Sequence, residues 1–298
     1  MKYIVTGGAG FIGSNLTDAL IAQGHDVLVI DNLSTGEKEN INPIATFINA
    51  DIRDLEAIKP HFAGIDGVFH LAALPDLQFS IENPIETHDI NVNGTLNVLI
   101  AAKDANVERV VYSASAAAYG NTETMPLHEE MKPNLLSPYG LQKYIGEEYC
   151  RLFSRLYGLH TVSLRYFNVY GPRMASKGAY LNVIKNFMVQ KSRNQAMTIT
   201  GDGEQTRDFI HVRDVARANI AAMKSNAVGT SEVINIGSGK NYSVKQIAAF
   251  IGGPFVHIAP RVETKHNLAD NTKAKKLLGW VPQENLEDAI KELLASEE

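Results

Sequence analysis

The feature that most constrains the fold is a glycine-rich turn between a short strand and a helix at the start of the chain. Lys2 to Thr6 is a short β-branched run, and a helical pattern extends from Phe11 to Gln23. Glycines let the backbone turn tightly, approach a pyrophosphate closely and pack helix against strand, while the helix N-terminus faces the negative charge. The alternative is a glycine-rich turn without a ligand. The turn reads Gly7-Gly8-Ala9-Gly10-Phe11-Ile12-Gly13.

The next predicted strand favours the ligand-binding interpretation. It runs from Asp26 to Ile30 and ends in Asp31, close to the spacing of about 20 residues at which a carboxylate accepts from the ribose hydroxyls of a dinucleotide. Asp31 would repel a 2′-phosphate, and no arginine follows within Asn32 to Gly36, so the sequence predicts NAD rather than NADP. The residues predicted to contact the cofactor here are Gly7, Gly10, Phe11, Ile12, Gly13, Asp31, Asn32, Ser34, Thr35 and Gly36.

Strands and helices alternate through the first half of the chain. This alternation predicts an α/β fold with a parallel, doubly wound sheet of the Rossmann type, in which the ligand lies at the carboxyl ends of the strands. The further predicted strands are Thr46 to Ala50, Gly67 to His70, Arg109 to Ser113 and Thr161 to Phe167, and the predicted helices are Pro84 to Asn106 and Pro138 to Leu156.

Two of these strands end in residues suited to a cofactor. Asp51, with Ile52 beside it, is predicted to meet the adenine. The strand that ends in His70 continues into Leu71, Ala72 and Ala73, and small residues there let the chain pass close to the cofactor. His70 could be mistaken for a catalytic base, but a histidine at the end of a buried strand is more often packed in the core.

A tyrosine and a lysine lie one helical turn apart at the start of an apolar helix. Ser137 suits the N-cap and Pro138 the first helical position. Tyr139 and Lys143 are then at i and i+4 and share one face. A nearby ammonium favours the phenolate and lowers the pKa of a tyrosine from its usual value near 10, so Tyr139 could act as a general base. The alternative is an exposed pair without chemistry.

The strand before this helix ends in small and hydroxyl residues, Ser113 to Gly120. Ser115 is the best candidate to hydrogen-bond a reacting oxygen, because the carboxyl edge of the strand should face the start of the Tyr139 helix. A serine at a strand end can also merely cap a loop, and the neighbouring motifs decide against that reading.

After Asn168 the simple alternation ends, and a second domain is predicted to start near there. The polar loop Gly201 to Asp208 includes Arg207, which could hold a diphosphate. Val233 to Ile236 resembles a last strand that returns to the sheet, so the two domains interleave. The predicted division gives residues 1–170 with about 210–237 to the NAD-binding domain, and about 171–209 with 238–298 to a smaller substrate-binding domain. A lysine-rich helix from Asp270 to Leu278 is predicted to be the final one.

Composition excludes several functional classes. The 298 residues are 45% hydrophobic and 20% charged with a net charge of -5, as in ordinary globular proteins, and no basic tract suggests a nucleic-acid partner. Cys150 is the single cysteine, so an internal disulfide or a Cys-based zinc site is excluded, and no metal is expected. No apolar run reaches membrane-spanning length, and the first residues are too short for a signal peptide. The sequence predicts a cytoplasmic protein.

The motifs together resemble the extended short-chain dehydrogenase/reductase family. The resemblance covers essentially the whole chain and rests on Thr6 to Gly13, the Ser115 strand end, Tyr139-x-x-x-Lys143 and the run Arg165 to Pro172. It implies that Ser115, Tyr139 and Lys143 form a catalytic trio, and it places Tyr166 at the cofactor. It further implies that Asn168, Asn182, Arg207 and Arg261 contact the diphosphate or uridine of a nucleotide sugar, and that Val183, Thr198, Val244 and Glu263 line the same site.

Within this family the resemblance implies NAD-dependent inversion at C4 of a UDP-hexose. The family's sugar 4,6-dehydratases carry an Asp-Glu pair where this chain has Ala116 and Ala117, so elimination lacks its acid and base, and the same gap argues against 3,5-epimerases and glucuronate decarboxylases. The family's usual Arg-x-Gly-Asp/Glu appears here as Arg261-Val262-Glu263, without the glycine, which makes the placement of Glu263 less direct.

Two other functions are compatible with these motifs. The rivals are another nucleotide-sugar oxidoreductase, which would release or consume NADH, and a non-catalytic NAD-binding protein. The resemblance implies a homodimer that packs the helices around Asn93 to Ala105 and Tyr139 to Leu156, with apolar surface from Leu141, Ile145, Leu152 and Phe153. The alternative is that these four residues belong to the core. It also places Asn267 beside the C2 substituent of the sugar, where a small residue leaves room for an N-acetyl group. The alternative for Asn267 is a loop side chain turned to solvent.

Overall fold

The computed structural model describes residues 1–174, 182–260 and 265–297. Strands and helices alternate through most of this part of the chain. The strands are β1 (Lys2–Thr6), β2 (Asp26–Asp31), β3 (Thr46–Asn49), β4 (Gly67–His70), β5 (Arg109–Ser115), β6 (His160–Tyr166), β7 (Asn168–Tyr170), β8 (Met197–Thr200), β9 (Thr206–His211), β10 (Thr230–Ile236), β11 (Asn241–Ser243) and β12 (Phe255–Ile258). The helices are α1 (Phe11–Ala22), α2 (Leu55–Ile58), α3 (Leu77–Glu82), α4 (Pro84–His88), α5 (Gly94–Asp104), α6 (Pro138–Tyr157), α7 (Val183–Ser192), α8 (Val212–Lys224), α9 (Val244–Ile251), α10 (Thr272–Leu278) and α11 (Leu286–Glu297).

A seven-stranded parallel sheet forms the centre of the molecule. Its order is β10-β6-β5-β4-β1-β2-β3, and each neighbouring pair is parallel. Buried apolar side chains lie on both faces of this sheet, as expected when helices cover both sides of a parallel sheet. On one face Val5 and Val29 pack with Leu16 of α1, and on the other Ile4 and Val110 pack in a separate cluster. The predicted Rossmann-type fold is confirmed.

The turn between β1 and α1 is as tight as the glycine pattern predicts. Gly7 has φ of 72°, a left-handed conformation that favours glycine. A Cβ atom on Gly13 would lie 2.2 Å from the carbonyl oxygen of Gly7, so the first turn of α1 packs directly on the strand end. The helix N-terminus therefore opens at the carboxyl edge of the sheet.

The second half of the chain adds two small sheets and a core of its own. β11, β9 and β7 form one sheet, and β12 pairs in parallel with β8 in the other. Phe187 of α7, Ile199 of β8, Ile247 of α9 and Ile290 of α11 are buried together in a cluster separate from those of the central sheet. β10 nevertheless returns to the central sheet beside β6. The interleaved division into two domains stays a prediction.

Two predictions about helices were wrong, one about the continuity of a helix and one about which helix is the last. The helix expected from Pro84 to Asn106 is interrupted by a π-helical segment at Asp89–Asn93, so α4 and α5 are separate. The lysine-rich helix α10 is not the last, because α11 follows it. The signal for α11 was readable, since its buried residues recur at helical spacing. They are Leu286, Ala289, Ile290 and Leu293.

Membrane-spanning helices and metal sites are both absent from the part of the chain that the structure describes. Across the three described ranges, no helix has the length and apolar character needed to cross a membrane. Among those same residues, no group of three or more histidine, cysteine or acidic side chains is arranged to hold a metal ion.

Candidate active site

The N-terminus of α1 and the glycine turn form a cradle for a negatively charged group. α1 begins after Gly10, has no acidic residue in its first turn, and its N-cap has no side chain to occupy the first N–H groups. Such a helix N-terminus favours a phosphate through its N–H groups and dipole. A Cβ atom on Gly7 would lie 2.7 Å from the amide nitrogen of Ala72, so the cradle and the end of β4 are in close contact. Phe11 and Ile12 begin the helix and are half-buried.

Asp31 lies directly beside this cradle. One carboxylate oxygen accepts a hydrogen bond from the amide of Ala9 at 3.0 Å, and the other accepts from the amide of Leu33 at 2.8 Å. The two bonds fix the carboxylate between the glycine turn and the loop after β2. In that loop Gly36 packs against Ala9, because an added Cβ would lie 2.8 Å from the Cβ of Ala9. Asn32, Ser34 and Thr35 complete the loop, and the amide of Ser34 donates to Asn32. These positions suit a ribose with free hydroxyls.

Asp51 is already engaged by other side chains in the protein. The Arg53 side chain donates two hydrogen bonds to its carboxylate, at 3.0 and 2.7 Å, and the Asn32 side chain donates another at 2.8 Å. The bond from Arg53 is the main cause that lowers the pKa of Asp51 to about 2. Ile52 is buried beneath. Asp51 thus joins the loops that follow β2 and β3, at the edge where the adenine is expected, and its contact with the adenine stays a prediction.

His70 is a packed core residue, as predicted. Its ring lies between the hydroxyls of Thr6 at 2.7 Å and Thr95 at 2.9 Å, and 1% of the residue is exposed. Burial, with a smaller effect of Lys143, lowers the pKa of His70 to about 3. The imidazole therefore stays neutral at working pH. The following Leu71, Ala72 and Ala73 are half-buried at the carboxyl edge, next to the glycine turn.

The tyrosine and lysine are held on the first turns of α6. Ser137 caps the helix, its hydroxyl accepting from the amide of Gly140 at 3.0 Å, and Pro138 takes the first helical position. Tyr139 and Lys143 are both buried. The Lys143 ammonium donates to the carbonyl oxygen of Ser113 at 2.8 Å, which ties α6 to the end of β5. Burial lowers the pKa of Lys143 to about 7, and Cys150 and Glu147 oppose that shift.

Ser115 is the last residue of β5 and therefore lies at the carboxyl edge of the central sheet. Its hydroxyl accepts from the amide of Ala117 at 3.1 Å, and the residue is half-buried. The turn that follows it touches the start of α6, because an added Cβ on Gly140 would lie 3.0 Å from the carbonyl oxygen of Ala117. Ser115 and Tyr139 are thus on contacting segments. Tyr166, in register with Ser115, donates its hydroxyl to Asn219 of α8 at 2.9 Å, and burial raises its pKa.

The residues expected to bind the nucleotide sugar gather on the adjoining segments. Asn168 donates to the carbonyl oxygen of Asp208 at 2.8 Å. Asn182 caps α7 and donates to the carbonyl oxygen of Val169 at 2.9 Å. Arg207 donates to two carbonyl oxygens, those of Thr206 and Lys265. Val183 starts α7, Thr198 lies in β8 and Val244 starts α9. Arg261 and Glu263 lie outside the described residues.

Asn267 is half-buried, and its side chain is hydrogen-bonded within the protein. Its side-chain oxygen accepts from the amide of Asp208 at 2.8 Å and from the side chain of Asn168 at 3.3 Å. The sequence reading missed the role of Asp208, which is fully buried. The carboxylate of Asp208 accepts hydrogen bonds from Ser238, Gly239 and Ala269 and so joins two loops to β9. In the sequence, the role of Asp208 was indicated only by the position of an acidic residue between an arginine and an apolar strand.

Comparison with known proteins identifies relatives along nearly the whole chain. Residues 3–237 match the NAD dependent epimerase/dehydratase family. A putative UDP-glucose 4-epimerase of Methanocaldococcus jannaschii is 42% identical over 299 residues, which cover 98% of this chain and 96% of that protein.

Two solved structures are similar over nearly the whole chain. The Thermotoga maritima UDP-glucose 4-epimerase with UDP-glucose has a TM-score of 0.93 and 38% identity, covering 99% of this chain and 98% of that one. The UDP-N-acetylglucosamine 4-epimerase from Methanobrevibacter ruminantium, in complex with UDP-N-acetylmuramic acid, has a TM-score of 0.94 and 36% identity, covering 99% and 97%.

Proposed function

Because the chain belongs to the NAD dependent epimerase/dehydratase family, we propose that it inverts C4 of a UDP-hexose through a transient 4-keto sugar. The observation that carries the proposal is that Ser115 and Tyr139 lie on segments in contact with each other, and that Lys143 donates to the carbonyl oxygen of Ser113 at the end of the same strand. The alanines that follow Ser115 leave no acid or base beside C5 and C6 in that turn. UDP-sugar 4-epimerases among the similar proteins support the same reaction.

The cofactor is NAD, and the residues present fit it. The free N-terminus of α1 suits the pyrophosphate, and the fixed carboxylate of Asp31 suits the ribose hydroxyls. Bound NAD would supply a hydride acceptor for C4 of the sugar and, once reduced, a hydride donor to the same carbon. The remaining chemistry falls to side chains of this protein.

In the proposed mechanism Tyr139, as phenolate, takes the proton of the 4-hydroxyl while Ser115 donates a hydrogen bond to the same oxygen. The Lys143 ammonium, fixed by the carbonyl oxygen of Ser113, stabilises the phenolate and binds the nicotinamide ribose. The 4-keto sugar then turns over while Arg207 and Arg261 hold the diphosphate. Tyr139 returns the proton to the oxygen once the hydride has been received on the other face.

Replacing Tyr139 with Phe tests this assignment. The ring packing is kept and the proposed base is removed, so we expect NAD binding to remain and kcat to fall by at least about a hundredfold. Product separation after incubation with UDP-glucose or UDP-N-acetylglucosamine measures turnover, and absorbance measures NADH. Stoichiometric release of NADH with excess NAD would instead identify a net oxidoreductase, and NAD binding without turnover of either sugar would favour a non-catalytic protein.

We further propose that N-acetylated UDP-hexoses are turned over at least as well as UDP-glucose and UDP-galactose. The side-chain oxygen of Asn267 is taken by Asp208 and Asn168, so its amide nitrogen is the group left to donate to an acetamido carbonyl. A UDP-N-acetylglucosamine 4-epimerase among the similar structures supports this choice.

Replacing Asn267 with Tyr should abolish turnover of UDP-N-acetylglucosamine while sparing UDP-galactose, because the larger ring fills the space beside C2. The matched variant Asn267→Ala keeps that space and loses the amide, so it should retain both activities at reduced affinity for the acetylated sugar. If Asn267→Tyr kept both activities, residue 267 would not determine whether an N-acetylated sugar is accepted.

We also propose a homodimer built on α5 and α6, in the cytoplasm. Leu141, Leu152 and Leu156 of α6 are 44%, 37% and 60% exposed, which leaves apolar surface to cover. Phe153, expected on this face, instead packs in the core. Light scattering at assay concentration should give twice the mass of the chain, and Leu156→Glu should shift it toward the monomer. A monomeric parent protein would contradict the proposal.

A further inference from the structure

A buried ion pair joins the catalytic helix to the central sheet. Arg165 of β6 donates two hydrogen bonds to the carboxylate of Glu147, from Nε at 2.8 Å and from Nη2 at 2.7 Å. The two side chains are 4% and 0% exposed. A pair of this kind is weak evidence for stability, because apolar side chains of the same volume often stabilise a fold equally well. Its position therefore needs another explanation.

Both partners lie next to the proposed catalytic groups. Glu147 is on α6, one helical turn beyond Lys143 on the same face. Arg165 pairs in register with Ala114, the residue before Ser115. Arg165 thus contacts α6, which carries the proposed base, through its guanidinium, and β5, which carries the proposed hydroxyl, through its backbone.

The same guanidinium also packs on the turn that follows Ser115. Its central carbon lies 4.7 Å from the ring centroid of Tyr119, at the end of that turn. Tyr119 is buried, and its hydroxyl donates to Asn235 of β10 at 2.6 Å. The planar guanidinium of arginine can form a bidentate hydrogen bond along one edge and stack on an aromatic ring through its face. The ammonium of lysine can do neither.

We propose that Arg165 is a positioning residue for the chemical step, holding the Tyr139 helix and the Ser115 turn in one fixed relation. The two side chains can then reach the same sugar oxygen. The inference rests on the proposed function, because it concerns the geometry of the same two groups. A displacement of about 1 Å between reacting groups can cost about a hundredfold in rate. The proposed role requires no contact of Arg165 with substrate or cofactor.

Replacing Arg165 with Lys tests the proposal. The positive charge is kept, while the second hydrogen bond and the stacking are lost. We expect kcat for UDP-hexose epimerisation to fall about tenfold to a hundredfold, with KM and the affinity for NAD changed less than about twofold. Glu147→Gln, which keeps one acceptor and loses the charge, should lower kcat in the same way, and it carries the test if Arg165→Lys does not fold.

Arg109→Lys is the matched control, because Arg109 is also a buried arginine of the central sheet. It lies at the other end of β5, is 6% exposed, and donates to carbonyl oxygens in the last turn of α8 and the loop after it, including those of Ala222 and Val228. We expect this variant to lose stability and to keep kcat when assayed well below its unfolding temperature. A normal kcat in Arg165→Lys, or an equal loss of kcat in both variants, would overturn the proposal. If the parent protein lacked epimerase activity, the proposed function would fail instead.

Discussion

Replacing His70 with Asn should make the unfolding free energy of the protein less sensitive to acid. His70 lies in the core between Thr6 and Thr95, and burial lowers its pKa to about 3. In the unfolded chain a histidine titrates near its ordinary value of about 6.5. Between these two values the unfolded state binds a proton that the folded state does not.

The sign and size of the effect follow from this difference. The contribution of His70 to stability is fully present above about pH 6.5 and is lost as the pH falls toward 3. From about pH 7 to about pH 5 one such histidine reduces the unfolding free energy by about 2 kcal/mol. His211, also buried, has its pKa lowered to about 4 and adds a similar amount. The variant should therefore lose about half of the combined histidine contribution.

The assay is urea unfolding of the parent and of His70→Asn at both pH values. Hydrogen bonds lost with the ring lower stability equally at the two pH values, so they cancel in the difference. The parent should lose about 2 kcal/mol more than the variant on acidification. His88→Asn removes a histidine from an exposed position and should follow the parent. Equal acid sensitivity in His70→Asn and the parent would refute the reasoning.

Three further predictions concern the cofactor and the reacting groups. Asp31→Ala should weaken NAD binding and relax the preference over NADP in fluorescence titrations, whereas equal affinities in the parent would contradict the role of Asp31. Gly13→Ala should abolish NAD binding and lower the unfolding free energy by about 1–3 kcal/mol, because its Cβ would lie 2.2 Å from the carbonyl oxygen of Gly7. Ser115→Ala should lower kcat less than Tyr139→Phe, and a larger loss would assign the proton to Ser115.

Much of the cofactor cradle could be predicted from the sequence because it is local. The turn from Gly7 to Gly13 follows from backbone geometry that few residues other than glycine allow, and the start of α6 follows from Ser137 and Pro138. The alternation of strands and helices fixes the parallel sheet, since parallel strands need a helical crossover between them. Asp31 could be placed because the carboxyl ends of such strands share one edge.

The partners of the site residues were decided by tertiary structure. Lys143 donates to the carbonyl oxygen of Ser113. The side-chain oxygen of Asn267 accepts hydrogen bonds from Asp208 and Asn168. Hydrophobic periodicity indicates which residues are buried, but not which distant residue a buried polar group will meet.

For this reason the sequence left open whether Asn267 faces solvent. It also left open whether Phe153 lies at the surface, as expected, or in the core. The ion pair between Glu147 and Arg165 had no sequence signal beyond two charges in apolar elements. By itself the sequence determined the fold and the cradle, whose geometry depends on neighbours in the chain. The folded structure alone determined how the polar side chains pair across α6, β5 and β6, because buried groups must satisfy their hydrogen bonds with whatever the packed elements bring near.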